Sequence, residues 1–258
     1  MKVLITGGNG YLATAIKNRL SDTHDVTSVT RKDFDISNTH ETTKWFSDKH
    51  FDVVIHTAIQ GGRRTKADEY SVTDTNIKMY LNLLDNKQYF DRFISIGSGA
   101  ELYQTNTPYG LSKHVIRQSM LEKDGFYNVR VFAVFDENEL DNRFIKANVT
   151  RYIKKEPMLI FQDKKMDFFY MNDFVDIMKY YVENINPPKE IDCTYEQSFY
   201  LKEIAQHINK LSNYEVPIKI ESPDIATEYV GNHTPIGLSY VGLSNGIQRV
   251  YNQLSCRT

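Results

Sequence analysis

Cysteine is scarce: Cys193 and Cys256 are the only two in 258 residues, far apart and in no metal-ligand spacing. That removes support for a disulfide framework or a zinc site, so no metal is expected and a reducing cytoplasm is the default compartment. Long apolar runs are missing as well. Hydrophobic residues make up 41% of the chain, yet stretches such as Val53-Val54-Ile55 fall far below the roughly 18 residues that a membrane span needs. The opening Met1-Lys2-Val3-Leu4-Ile5 turns at once into glycines and reads as a buried strand, not as a signal peptide. Charge of one sign is lacking too: 31 Lys plus Arg stand against 33 Asp plus Glu. No bulk positive field therefore points to nucleic acid or an anionic membrane.

What the chain does have is alternation. Short apolar runs rich in β-branched residues (Val3 to Thr6, Val26 to Thr30, Val53 to Thr57, Phe93 to Gly97, Val129 to Phe135) alternate with stretches of helical period. Those stretches are Tyr11 to Leu20, His40 to His50, Asp68 to Leu84 and Tyr109 to Glu122. Runs that stay apolar on both faces, joined by crossover helices, predict an α/β fold: a Rossmann-type doubly wound parallel sheet. After Phe135 the regularity breaks into the acidic turn Asp136 to Asp141. The expected division is a dinucleotide-binding core over 1–135 and a smaller C-terminal substrate lobe over 136–258, in part interleaved with the core.

The first βα junction, Thr6-Gly7-Gly8-Asn9-Gly10-Tyr11-Leu12-Ala13, carries the first functional signal. Glycine at 7 permits a tight turn, glycine at 10 lets backbone approach a pyrophosphate, and a small residue at 13 lets the helix pack closely on the strand. The helix start then offers N–H groups and a positive dipole end to phosphate. A glycine trio alone fits an ordinary βα turn; its place between a clear strand and a clear helix favours the dinucleotide reading.

The pattern Thr-Gly-Gly-Asn-Gly-Tyr-Leu resembles the extended, nucleotide-sugar-modifying branch of the short-chain dehydrogenase/reductase superfamily (the NAD-dependent epimerase/dehydratase family), with Ala13 in place of the usual last glycine. The resemblance runs to about residue 185. It implies that Gly7, Asn9, Gly10, Tyr11 and Leu12 meet the cofactor. Arg31 stands at the tip of the second strand, where an acid would bind a free ribose 2′-hydroxyl and an arginine a 2′-phosphate; NADP is therefore expected, with NAD as the alternative. Asp35 and Ile36 are similar to the residues that meet adenine, and Thr57 and Ala58 to a segment lining the cofactor. Gly61-Gly62 and the stretch around Arg31 resemble GDP-fucose synthases. Asn76 matches a structural asparagine of the superfamily.

Tyr109 and Lys113 form the only Tyr-x-x-x-Lys in the chain. With 17 tyrosines and 20 lysines in 258 residues, about 1.3 such pairs arise by chance, so position must decide. The pair opens the helix after the strand that ends at Ser98, which is where the superfamily carries its Ser, Tyr and Lys. The chemistry needs these types: hydride arriving at a ketone leaves charge on oxygen, which a phenol can protonate and a serine can hydrogen-bond. The ammonium of Lys113 favours the tyrosinate and, by the resemblance, binds the nicotinamide ribose. Ser98 and Tyr109 would touch substrate, as would Asn142 and Arg143, at the start of the family's substrate-binding segment. Met166 replaces an arginine usual in the second half, and Ala133 an asparagine.

The leading expectation is thus an NADPH-dependent reductase of a nucleoside-diphosphate 4-keto-6-deoxysugar, of the kind that serves polysaccharide biosynthesis. The alternatives are an NAD-dependent nucleotide-sugar 4-epimerase and a non-catalytic NADP-binding regulator. A 4,6-dehydratase is disfavoured because Gly99-Ala100 supplies no acid. A homodimer is expected through the helices Asp68 to Leu84 and Tyr109 to Glu122, whose Ile77, Tyr80, Leu81, Leu84, Val115 and Met120 exceed what one inward stripe needs.

Overall fold

Residues 1–62 and 66–257 are described by the structure, a computed structural model. Five strands, β1 (Lys2–Thr6), β2 (Asp25–Val29), β3 (Phe51–His56), β4 (Phe90–Ser98) and β5 (Phe126–Val131), open the chain. Between them run α1 (Tyr11–Leu20), α2 (Thr39–Phe46), α3 (Ser71–Asp85), the short α4 (Ala100–Tyr103) and α5 (Pro108–Met120). There follow β6 (Val134–Phe135), α6 (Phe144–Ile153), β7 (Met158–Gln162), β8 (Lys165–Met166), β9 (Phe169–Tyr170) and α7 (Met171–Glu183). Last come β10 (Glu190–Cys193), β11 (Phe199–Tyr200), α8 (Leu201–Ile208), β12 (Ile218–Ser222) and α9 (Leu243–Ser255).

The central parallel sheet has six strands in the order β10-β5-β4-β3-β1-β2. β1 pairs with β2 on one side and β3 on the other, Val3 lying opposite both Val26 and Val53. Covered on both faces, β1 buries Val3, Leu4 and Ile5 completely, whereas the edge strand β2 exposes Asp25 and Thr27. The order of strands reverses between β1 and β3, and the crevice beyond their carboxyl ends is where open α/β sheets bind ligands. An aromatic group of Phe34, Trp45, Phe46 and Phe51 packs α2 onto the sheet margin. α5 starts cleanly because the Thr107 hydroxyl accepts the Gly110 N–H at 3.1 Å and Pro108 occupies the first turn.

Against an expected boundary at 135/136 with an interleaved lobe, the chain crosses between two compact units three times, after Arg130, after Phe174 and after Ile191. One compact unit comprises Met1–Arg130 and Val175–Ile191, the other Val131–Phe174 and Asp192–Thr258. The chain returns to the first unit because the carboxyl half of α7 belongs to it and β10 extends its sheet beyond β5. The strand expected over Val129 to Phe135 is likewise two: β5 stops at Val131, and β6 pairs with β9 in the second unit. That unit has its own core, including Ile145, Val149, Tyr152 and Ile247, with small pairings β7–β12 and β8–β11. Two of the six residues expected to be surplus on the helical faces are not: Tyr80 and Met120 sit in the first unit's own core. Leu81 and Val115 do stay exposed, as does Leu111.

Candidate active site

The glycine turn leaves β1 at Gly7 with φ +71°, and a Cβ there would lie 2.8 Å from the Ala58 backbone. Only glycine fits that approach between two adjacent strand ends. Gly8 donates to the Val29 carbonyl and Gly10 to that of Gly7, both at 2.8 Å. Gly10 then begins α1 with no side-chain cap, and Ala13 is fully buried against the sheet. Asn9 is exposed, while Tyr11 and Leu12 are half-buried on the first turn.

Beside this turn lies a cleft of about 690 Å³, lined among others by Gly7, Arg31, Asp35, Ile36, Ala58 and Lys66. Five of these come from three separate stretches picked out by sequence; Lys66 is a cation that sequence reading passed over, since no motif marks it. Asp35 accepts from the Ser37 hydroxyl (2.7 Å) and N–H (2.9 Å). The Ser37 hydroxyl, then its N–H and the charges of Arg31 and Lys78, hold the Asp35 carboxyl below the usual range against partial burial. Ile36 is buried, and its carbonyl accepts from Asn82 Nδ2 (2.7 Å) and the Thr42 hydroxyl (3.1 Å). The tip of the second strand is thus fixed from below while Arg31 is exposed.

At the end of β3, Thr57 donates its hydroxyl to the Thr6 carbonyl at 2.6 Å, and Thr6 Oγ1 meets His56 Nδ1 at 2.9 Å. Burial, with Lys113 adding a like charge, pushes His56 down to about 3, so it is neutral. Asn76 bridges two parts of the site. Its Oδ1 accepts from Gln60 N (2.9 Å), and its Nδ2 donates to the Gln60 carbonyl (3.1 Å) and to Ser112 Oγ on α5 (3.0 Å). That role for Asn76 makes it the hinge pin of the loop after β3. The same loop reaches Gly62, at φ +70°, where a Cβ would lie 2.9 Å from the Tyr109 ring.

Tyr109 is half-buried in the first turn of α5, and Lys113 one turn later is buried with its Nζ donating to the Ile96 carbonyl at 2.5 Å. Burial pushes Lys113 down to about 8, opposed by the negative charge of Glu101. Ser98 ends β4, buried, with its Oγ accepting the Ala100 N–H at 3.2 Å; the hydroxyl proton is left to donate elsewhere. Ser95 lies earlier in β4 and is enclosed by the sheet. The residue that sequence reading missed is Glu101, three positions after Ser98, whose carboxylate is almost wholly enclosed. No motif in the sequence marks it, because its partners lie on β5.

Asn142 and Arg143 are not in this group; they belong to the second unit, where Arg143 is the N-cap of α6. Their neighbour Glu139 is buried, accepts the Lys146 N–H at 3.2 Å, and is pushed up to about 8 mainly by that burial. Met166 is buried in β8. No helix among the described residues is long and apolar enough to cross a membrane.

A doubly wound sheet with a glycine turn and a cleft at its switch point, beside a Tyr-x-x-x-Lys helix, defines an extended short-chain dehydrogenase/reductase scaffold. The chain belongs to the NAD dependent epimerase/dehydratase family, whose profile matches residues 3–193, and is an enzyme of that type. No curated protein sequence matches it significantly. Among solved structures, a GDP-mannoheptose C4 reductase of Campylobacter jejuni with NADP bound is 16% identical at TM-score 0.80, covering 98% of each chain. A GDP-D-glycero-L-gluco-heptose synthase of the same organism, solved with NADPH, is 15% identical at TM-score 0.82, covering 99% of this chain and 98% of that one. A UDP-glucose 4-epimerase of Thermotoga maritima is 17% identical at TM-score 0.77, covering 100% and 99%. These likenesses establish the fold.

Proposed function

We propose that the protein is an NADPH-dependent reductase acting on the C4 ketone of a nucleoside-diphosphate 4-keto-6-deoxysugar. The observation that carries this reading is the pairing of Tyr109 with a buried Lys113 on α5, in the same unit as the cleft lined by Gly7, Arg31 and Asp35. The residues present fit a dinucleotide. The cradle at Gly7 has no room for a side chain, α1 starts without a side-chain cap, and Arg31 and Lys66 supply cations for a 2′-phosphate. NADPH, when bound, supplies the hydride. Tyr109 gives a proton to the oxygen of the ketone, and its place in the first turn of α5 favours the negative charge it is left with. Ser98 donates its hydroxyl proton to the same oxygen. Lys113 holds the nicotinamide ribose and faces the phenol with a positive charge.

Three neighbours support reduction: two are described as C4 or 4-keto heptose reductases, and a third was solved with NADPH. The protein is further proposed to act in the cytoplasm as a homodimer whose α3 and α5 faces carry the exposed Leu81, Leu111 and Val115. The test is NADPH oxidation followed by absorbance against a panel of nucleotide-linked 4-keto-6-deoxysugars. Turnover of one member is expected, and Tyr109→Phe should lower it at least about 100-fold while cofactor binding survives. Near-normal turnover in that variant refutes Tyr109 as the proton donor.

A further inference from the structure

Glu101 is 1% exposed, and burying a carboxyl group costs free energy unless other groups pair with it. The chain places several around it. Arg130 Nε donates to Oε1 at 2.5 Å and Asn128 Nδ2 to the same oxygen at 2.8 Å, both from β5. Arg117 Nε of α5 stands 3.8 Å from it. The second oxygen, Oε2, accepts the backbone N–H of Ser98 at 3.3 Å. The Glu101 carbonyl meets His114 Nδ1 at 3.0 Å, on the residue directly after Lys113. One side chain and its own carbonyl thus tie together the end of β4, α4, α5 and β5.

We propose that Glu101 is a positioning residue of this site: locked by Arg130 and Asn128, its carboxylate holds the turn that carries Ser98 and supplies the fixed negative charge that Lys113 faces. The proposal rests on the reading of Tyr109, Ser98 and Lys113 given above. The Lys113 ammonium donates to a neutral carbonyl, that of Ile96, so its charge depends on more distant acids. Burial lowers its titration and Glu101 opposes the fall. Among the described residues, the other titratable groups around this cluster are the neutral His56 on β3, Tyr109, His114 and Arg117 on α5, Arg130 on β5 and Glu190 on β10, which pairs with both arginines. Glu190 is partly exposed and committed to the two guanidiniums, which leaves Glu101 as the enclosed acid. Without it, burial would push the Lys113 titration down further.

The test is carried out on the full chain without cofactor, labelled with 13C at lysine Cε, so that the readout is independent of activity. The Lys113 resonance is identified by its loss in Lys113→Met, and its titration is followed in wild type, Glu101→Gln and Arg117→Gln. Glu101→Gln keeps the shape and removes the charge, so the midpoint should fall by about one pH unit or more. Arg117→Gln removes a cation beside the same carboxylate, so the midpoint should rise. In an active preparation the alkaline limb of NADPH oxidation should move in the same direction as each midpoint. An unmoved midpoint in Glu101→Gln, or shifts of the same sign in both variants, overturns the proposal, because general loosening would not produce opposite signs. If Glu101→Gln fails to fold, Arg117→Gln decides alone: a rise supports the proposal, and no rise overturns it. Opposite shifts combined with undiminished turnover in Tyr109→Phe would leave Glu101's influence on Lys113 standing and refute the catalytic reading instead.

Discussion

Acid should unfold the first unit through His56. This imidazole is 2% exposed, its ring nitrogen meets Thr6 Oγ1 at 2.9 Å, and it titrates at about 3 against an ordinary 6.5. A base whose folded value is depressed contributes stability that is fully present above the unfolded value and is lost as pH falls toward the folded one. The window is therefore 6.5 down to about 3. At about pH 4.5 the solution is about two units below the unfolded value, which corresponds to a loss of about 3 kcal/mol. His56→Asn is the matching variant, since its amide can reach Thr6 and does not titrate. It leaves a small gap at every pH, so the difference between pH values is what counts. Urea unfolding by circular dichroism at about pH 7.5 and 4.5 should show wild type losing about 2 to 3 kcal/mol more than His56→Asn. Equal losses would refute the claim that this histidine is held neutral.

Glu139 should act in the opposite sense: a carboxyl raised to about 8 from 4.5 contributes stability below 4.5 that is lost as pH rises through 8. Glu139→Gln should flatten that slope, by about 3 kcal/mol at pH 7 in chemical denaturation. Arg31→Ala should erase most of a tenfold to hundredfold preference for NADPH over NADH in fluorescence titrations, since a charged hydrogen bond contributes roughly 1.5 to 3 kcal/mol; equal affinities in wild type would shift the reading to the epimerase. Gly62→Ala adds a methyl 2.9 Å from the Tyr109 ring at φ +70°, so turnover should fall in that variant while far-UV circular dichroism is unchanged. Light scattering at micromolar concentration should give a dimer mass, reduced to the monomer by Leu111→Glu.

The first four strands, and the carboxyl end of the fifth, were legible because each is a short β-branched run framed by helical period, and the ends of α1 came out at Tyr11 and Leu20 as expected. β10 was not, since Glu190-Ile-Asp-Cys193 is only four residues long with two acids and looks like loop until β5 is there to pair with it. Two lobes were expected, but not where the chain crosses between them: α7 is one uninterrupted helix, and no proline or glycine marks where it passes from one unit to the other. Within the site, residues set by a local motif (Gly7, Tyr109, Lys113) were readable, and Arg31 and Asp35 followed from strand position. Glu101 depends on Asn128 and Arg130, 27 and 29 residues away, and such a pairing has no period or spacing to betray it. Tyr80 and Met120 were misassigned to an outer face because helical periodicity alone does not say how wide the inward stripe is.

The position of β2 at the sheet margin has an evolutionary meaning. Because no strand among the described residues pairs with its outer side, the turn from Thr30 to Ile36 is a terminal fitting on the sheet, fastened by the stack of Phe34 on Trp45 at 4.6 Å and by the grip of Asn82 on Ile36. Exchanging Arg31 for another residue disturbs no strand register and no buried contact. On the proposed role of Arg31, preference for one dinucleotide over the other can thus drift by single substitutions at the rim, while the parts around Tyr109 and Lys113, tied through Asn76 and Glu101 to several elements at once, must change together or remain as they are.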